Sequence, residues 1–335
     1  MFKAAILKKK NEIEIHNFKI PQILRDDQVL VKIKYAGICR SQIMEYQGKR
    51  GIDNYLPHGF GHEAVGKVER VGKKVKKVKI GQQVILSWIK GKGLDFGGHK
   101  LKDNQNKLIN FGPLSTFSSH VIASENRVFL KPLKMSLLEA VLYGCSVPTG
   151  AGIVLNQLVK LKKNKKVCLI GVGGIGMAAL TALLKKKSKV FVIENNKNKK
   201  NFLKKFDIKI LSNKLELKKY YNYFDYCIET SGSAKMIEKG LDLIKIDGTL
   251  VFASHPPKKD KIKINPHDLI KGKKIYGSWG GCCKPDNDIK RIFKFFNYKN
   301  IFSQNSKIKK YKLNKIKNAF SDVLKGKAHR AVIEF

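Results

Sequence analysis

The run VCLIGVGGIG, with glycines at Gly171, Gly173, Gly174 and Gly176, constrains this chain more than any other stretch. An apolar strand, a glycine turn and an apolar helix in direct succession are what a dinucleotide-binding βαβ unit requires. The first glycine permits a tight turn, the second lets backbone approach a pyrophosphate, and the third lets helix pack on strand. These roles fall to Gly171, Gly173 and Gly176. The spacing predicts a strand over 167–170, a helix from Ile175 to about Lys186 and a strand over 189–194. Glu194 closes that second strand about twenty positions on, where an acidic residue bonds the ribose diol. A glycine turn alone can also be a purely structural βαβ corner; the flanking strands and Glu194 favour a bound dinucleotide.

At 335 residues the chain is long enough for two domains. Its formal charge of +42 is of the kind that draws nucleic acid or anionic membrane. Yet only seven of the 68 cationic residues are arginine, the residue suited to bidentate phosphate and base reading, and the lysines are spread over nearly every segment. We therefore expect no nucleic-acid partner. No stretch reaches the roughly 18 apolar residues of a membrane span, and the N-terminus lacks a signal-peptide pattern. A soluble, cytoplasmic protein with no membrane partner is expected. Six unevenly spaced cysteines make no disulfide framework and read as ligands or buried thiols.

Three segments follow along the chain. The first, residues 1–146, is strand-rich: its opening 18 residues alternate like a hairpin, as do QVLVKIKYAGIC and AVGKVERVG. Residues 147–279 alternate strands near Val167, Val190, Ile210, Tyr226 and Val251 with helices, the pattern of a parallel sheet covered on both faces. Residues 280–335 hold the amphipathic stretches DIKRIFKFF and NKIKNAFSDVLKG and a last strand AVIEF, expected to rejoin the first segment. Ser136 with Glu139, and Asn265 before Pro266, read as helix N-termini. The polar stretch from Ile89 to Asn110 reads as a long surface loop.

Three short motifs offer chemistry: GICRSQ from Gly37, GHE from Gly61, and YGCSVPTGAG from Tyr143. Cys39, His62 and Cys145 supply two thiolates and an imidazole, a set that suits a catalytic zinc with its fourth position open. Each alone could equally be a buried thiol or a turn histidine. Their combination with a dinucleotide fold downstream favours the metal. Cys282 and Cys283, being adjacent, lack a usual metal spacing, while Cys168 and Cys227 fall inside expected strands and read as core.

With GICRS, GHEAVGKVERVGKKVKKVKIGQQVI, GCSVPTGAG, GVGGIG and YGSWGG in this order, the chain resembles the zinc-dependent medium-chain alcohol dehydrogenases over essentially its whole length. The resemblance implies an α/β protein: a GroES-like, β-rich catalytic domain over 1–146, completed by 280–335, and a doubly wound Rossmann domain over 147–279. It makes Cys39, His62 and Cys145 the zinc ligands and Glu63 an outer or transient ligand. It gives Arg40 and Arg330 the cofactor pyrophosphate, Ser41 the substrate oxygen, Thr149 and Ile175 the nicotinamide, and Glu194 the ribose. Trp88 and Phe111 fall where the family lines its substrate pocket, although a core role suits them nearly as well. The implied reaction is hydride transfer between a primary alcohol or aldehyde and NAD(H), in a homodimer or homotetramer.

Departures from the family pattern matter. No cysteine lies between Gln83 and Thr116, so the resemblance implies one catalytic zinc per subunit and no structural zinc. Gln42 stands where an aspartate commonly orients the ligand histidine, and Met44 where some members relay the proton with histidine. Glu194 favours NAD over NADP, although Lys197, Lys199 and Lys200 follow closely. A polyol, sugar or sugar-derivative dehydrogenase remains an alternative; Cys145, where many of these carry glutamate, argues for simple or aromatic alcohols. A zinc-free quinone or enone reductase and a non-catalytic basic binding protein are the other readings.

Overall fold

The structure, a computed structural model, describes residues 1–22, 24–211, 214–297, 308–328 and 330–335. It divides into two compact units, one made of Met1–Cys145 with Lys284–Phe335, the other of Ser146–Cys283.

The first unit is built on two sheets. Its opening hairpin, Phe2–Lys9 against Glu12–Phe18, turns at Asn11, which takes φ 63° as short polar side chains can. The hairpin belongs to a five-stranded sheet with His58–Gly59, Leu108–Gly112 and His99–Lys102. The larger, seven-stranded sheet has Gln28–Gly37 at its centre, bonded to Glu63–Val71, His120–Ser124 and Arg330–Glu334. The last of these comes from the far end of the chain, so that segment does rejoin the first. Val29, Val31, Ile33, Phe60, Phe117 and Phe320 are buried in the core on which this sheet packs.

One expectation fails here. The stretch from Ile89 to Asn110 is not loop throughout, because His99–Lys102 and Leu108–Gly112 pair as an antiparallel hairpin. Leu101, Ile109 and Phe111 point inward between exposed Lys100, Lys102 and Leu108, an alternation too short and lysine-rich to stand out.

Among the described residues the second unit holds six strands, all pairing in parallel. In spatial order they are Lys209–Leu211, Lys189–Ile193, Lys166–Ile170, Phe224–Glu229, Ile244–Phe252 and Lys274–Gly277. Chain order reverses between the third and fourth of these, the switch point outside whose carboxyl ends such sheets bind ligands. Lys166–Ile170, buried from Val167 onward, feeds the glycine turn directly into the helix Gly174–Lys185. Continuous burial of this kind is the mark of a strand covered on both faces. Cys168 and Cys227 lie opposite each other in this core, both fully buried.

Candidate active site

Two chain turns and one helix start converge in the first unit. Cys39 is the N-cap of the helix Arg40–Tyr46, His62 immediately precedes the strand Glu63–Val71, and Cys145 follows the 3-10 turn Val141–Gly144. The two sulfurs and one ring nitrogen of His62 lie within 4.8 Å of one another. His62 Nε2 stands 3.3 Å from Cys145 Sγ. The two thiols titrate as a pair: Cys39 is held well below the ordinary thiol range, first by the hydrogen bond from Cys145 and also by His62, and Cys145 is pushed up in return. A Cys2His set with an open fourth position is the donor chemistry of catalytic zinc, so the residues fit the metal.

Gln42, fully buried, holds both Cys39 and His62. Its Oε1 accepts from the Cys39 backbone N–H at 2.8 Å, and its amide nitrogen meets His62 Nδ1.

Behind this cluster lies a buried ion pair. Arg330, first residue of the strand Arg330–Glu334, donates to Glu63 Oε1 at 2.8 Å. Burial pushes the Glu63 carboxyl up and works against the Arg330 charge, but Glu63, Cys39 and Cys145 together outweigh it and hold the guanidinium protonated. We assign the charged pair, because Arg330 cannot shed its proton and a neutral Glu63 would leave it unpaired at full burial. Gly37 makes room for this carboxylate, since a Cβ there would stand 2.5 Å from Glu63 Cδ, whereas a Cβ on Gly144 would stand 2.4 Å from the Leu86 carbonyl oxygen and 2.8 Å from Glu63 Cβ. The glycines of GIC and YGC are thereby explained, a packing role that the sequence did not reveal. Arg330, expected on the pyrophosphate, is buried and bonds Glu63 through one nitrogen, while its Nε meets no hydrogen-bond partner among the described residues.

Ser41 Oγ is buried and meets hydrogen-bond geometry with no described residue, although it lies beside the Cys39 sulfur. Arg40 is exposed at the first position of its helix. The half-buried Trp88 places its ring edge-on to His62, centroids 6.3 Å apart. Phe111, for which a pocket and a core place were both expected, is buried in a core cluster: it packs edge-on against Phe18 at 5.0 Å and stacks on His99 at 5.5 Å. The inward alternation of its strand puts it there.

In the second unit each glycine of the turn has a distinct environment. Gly171 has φ +78° and lies against Ser231; Gly173 has nothing within 4 Å of a Cβ position; Gly176 would drive a Cβ to 2.2 Å from the Gly171 carbonyl oxygen. The open face at Gly173 is where a pyrophosphate would approach, and the other two cannot carry side chains without moving the turn. Gly174 and Ile175 form the first turn of the helix. Glu194 accepts from Val172 N–H and Asn196 N–H, both at 2.9 Å, with Lys199 Nζ at 3.7 Å. Lone pairs remain on both carboxylate oxygens for a further donor. Thr149 is buried in the helix Ser146–Gly152, whose Gly150 abuts the Ile175 carbonyl oxygen. Glu229, missed from sequence, is fully buried at the end of its strand and accepts from Ser231 N–H and Ser254 Oγ, tying down two loops at the sheet's carboxyl edge. An acidic residue ending an apolar strand, the feature that singled out Glu194, was the available signal.

A six-stranded parallel sheet with a glycine turn at its switch point, joined to a β-rich unit carrying two cysteines and a histidine, defines a nucleotide-dependent dehydrogenase fold. Comparison with known proteins agrees. The family described as "Alcohol dehydrogenase GroES-like domain" matches residues 25–133, and "Zinc-binding dehydrogenase" matches residues 174–297. The S-(hydroxymethyl)glutathione dehydrogenase of Komagataella pastoris is 25% identical over 92% of this chain and 91% of its own. The class-P alcohol dehydrogenase of Arabidopsis thaliana is 23% identical over 91% and 90%. The benzyl alcohol dehydrogenase structure from Acinetobacter calcoaceticus has the same fold, with TM-score 0.85 at 22% identity, covering 100% of this chain and 99% of that one. The chain belongs to the zinc-dependent medium-chain alcohol dehydrogenase superfamily and is an oxidoreductase.

Proposed function

We propose that this protein transfers a hydride between a primary alcohol or its aldehyde and NAD(H), with one zinc held by Cys39, His62 and Cys145. The observation that carries the reading is the approach of those three ligand atoms to within 4.8 Å of one another. Zinc bound there supplies Lewis acidity at the substrate oxygen, and the nicotinamide supplies the hydride acceptor. Ser41 accepts a hydrogen bond from the substrate hydroxyl and begins proton release, its own hydroxyl proton passing on as the substrate's arrives; its buried Oγ beside the Cys39 sulfur supports that role. The Glu63–Arg330 pair forms a fixed, buried wall behind the ligands. Arg40, exposed at its helix start, takes the pyrophosphate along with the amides of the Gly171–Gly176 turn. Thr149 and Ile175 border the nicotinamide, Glu194 takes the ribose, and Trp88 lines the substrate pocket. The protein works as a cytoplasmic homo-oligomer without a four-cysteine structural zinc.

Metal analysis and NAD-linked assays over alcohols, aldehydes and sugars, on wild type and Cys145→Ser, test this. The substitution should remove about one equivalent of zinc and at least about a hundredfold of turnover. A fully active, zinc-depleted Cys145→Ser enzyme would overturn the reading. Glu194→Ala should narrow the NAD preference measured as a ratio of kcat/KM values; an unchanged ratio removes Glu194 from cofactor choice.

A further inference from the structure

We propose that Glu45, Asp53 and His58 form a second divalent-cation site, built without any of the cysteine ligands and suited to zinc or a similar borderline ion. Their ligand atoms lie within 4.8 Å of one another, and His58 is buried at 7% exposure. His58 sits in the short strand His58–Gly59, which pairs on one side with Phe2–Lys9 and on the other with Leu108–Gly112, so its backbone is fixed.

The ring's hydrogen bonds point to a cation. Nδ1 is 2.8 Å from the Gly59 carbonyl oxygen, which can only accept, so Nδ1 carries a proton. Nε2 then faces Asp53 Oδ2 at 2.8 Å and Glu45 Oε1 at 3.8 Å. A neutral ring would set a bare lone pair against two carboxylates. Either a second ring proton or a cation resolves this, and a histidine whose other nitrogen is locked on a backbone carbonyl is oriented as metal ligands are. Asp53 is aimed by Tyr55, whose N–H donates to its Oδ1 at 3.0 Å, leaving Oδ2 for the ion.

The geometry favours the divalent ion over the proton. A single proton on Nε2 can be donated to Asp53 Oδ2 at 2.8 Å but not also to Glu45 Oε1 at 3.8 Å, whereas one ion can bind the ring and both carboxylates. One imidazole with two carboxylates suits zinc, with water completing the coordination. Glu45 lies on the helix that follows Cys39, and His58 lies four residues before His62. An ion here ties together the two segments that present those zinc ligands.

The experiment is zinc content after exhaustive dialysis, on wild type, Asp53→Asn, Glu45→Gln, His58→Gln and Cys145→Ser. Wild type should retain about two equivalents and each single variant about one, with the cysteine-site spectrum of the cobalt-substituted protein intact in Asp53→Asn. Should His58→Gln fail to fold, the two carboxylate variants, which keep side-chain shape, decide the matter. Cys145→Ser retaining about one equivalent that Asp53→Asn in the same chain removes supports the site independently of any activity. Zinc content unchanged by Asp53→Asn and Glu45→Gln, or a nitrogen-15 spectrum of the zinc-loaded protein with both His58 ring nitrogens protonated at neutral pH, overturns it.

Discussion

Around His62 the hydrogen bonds leave little freedom. Gln42 Oε1 is taken by Cys39 N–H, so the amide NH2 faces His62 Nδ1, which must accept. The ring proton then falls on Nε2, the nitrogen aimed at Cys145, whereas metal ligation needs Nε2 bare. A carboxylate at position 42 would accept from both neighbours. Gln42→Glu should therefore tighten zinc at this site by about 10–100-fold in competition with a chelator, and unchanged affinity would show that the amide turns without cost. A second residue-scale case is Glu139, which burial lifts from 4.5 to about 7. Its folded state favours the neutral acid, so its contribution to stability is present below about pH 4.5 and lost as pH rises towards 7. Glu139→Gln should match wild type near pH 4 and exceed it by about 1–2 kcal/mol near pH 8 in denaturant titrations. Equal stability at both pH values would mean that the carboxyl is solvated.

At the scale of elements, close approach is set by glycine. A Cβ on Gly150 would stand 2.1 Å from the Ile175 carbonyl oxygen, so Gly150→Ala must push the helix Ser146–Gly152 away from Gly174–Lys185. We expect a loss of about 1–3 kcal/mol in thermal or chemical unfolding, with weaker cofactor binding since Thr149 and the glycine turn shift together. A neutral result would show that the helix can slide. Elements were legible where local pattern and fold agreed: the glycine turn, five of the six parallel strands, the opening hairpin and the Asn265 cap lie where periodicity and turn chemistry predict, whereas the short edge strand Lys274–Gly277 was not foreseen. Cys39, His62 and Cys145 were legible as ligand types, and their convergence followed from the family resemblance. What could not be read was pairing across long sequence separations. Arg330 meets Glu63 across 267 positions, Gly37 is small because of the Glu63 side chain and Gly144 because of the Leu86 carbonyl oxygen, and Phe111 faces a core made by another hairpin. No local signal encodes such contacts.

For the whole molecule the dominant fact is 68 cationic against 26 acidic side chains. The cationic side chains exceed the acidic ones by 42, and self-repulsion opposes the compact state. Raising salt from about 0.01 M to about 0.15 M shortens the Debye length from about 30 Å to about 8 Å, so the unfolding midpoint should rise with ionic strength. A midpoint that falls instead would mean that specific ion pairs such as Lys165–Asp225 outweigh the general repulsion. The lysine excess thus acts on stability and solubility.

The strand Arg330–Glu334 has a consequence for biosynthesis. It completes the central sheet beside Gln28–Gly37 and delivers the only guanidinium that Glu63 pairs with among the described residues. On a ribosome, the residues for the second unit are all made before that strand exists. The first unit must wait with an unclosed sheet edge and an unpaired buried carboxylate for roughly 10–40 s after Cys145 is added. A nascent chain stalled at about residue 325, with the second unit clear of the ribosome and the last strand not yet made, should therefore protect its parallel-sheet unit from protease while the first unit stays open to cleavage, a window in which chaperone capture, rather than catalysis, decides the fate of the molecule.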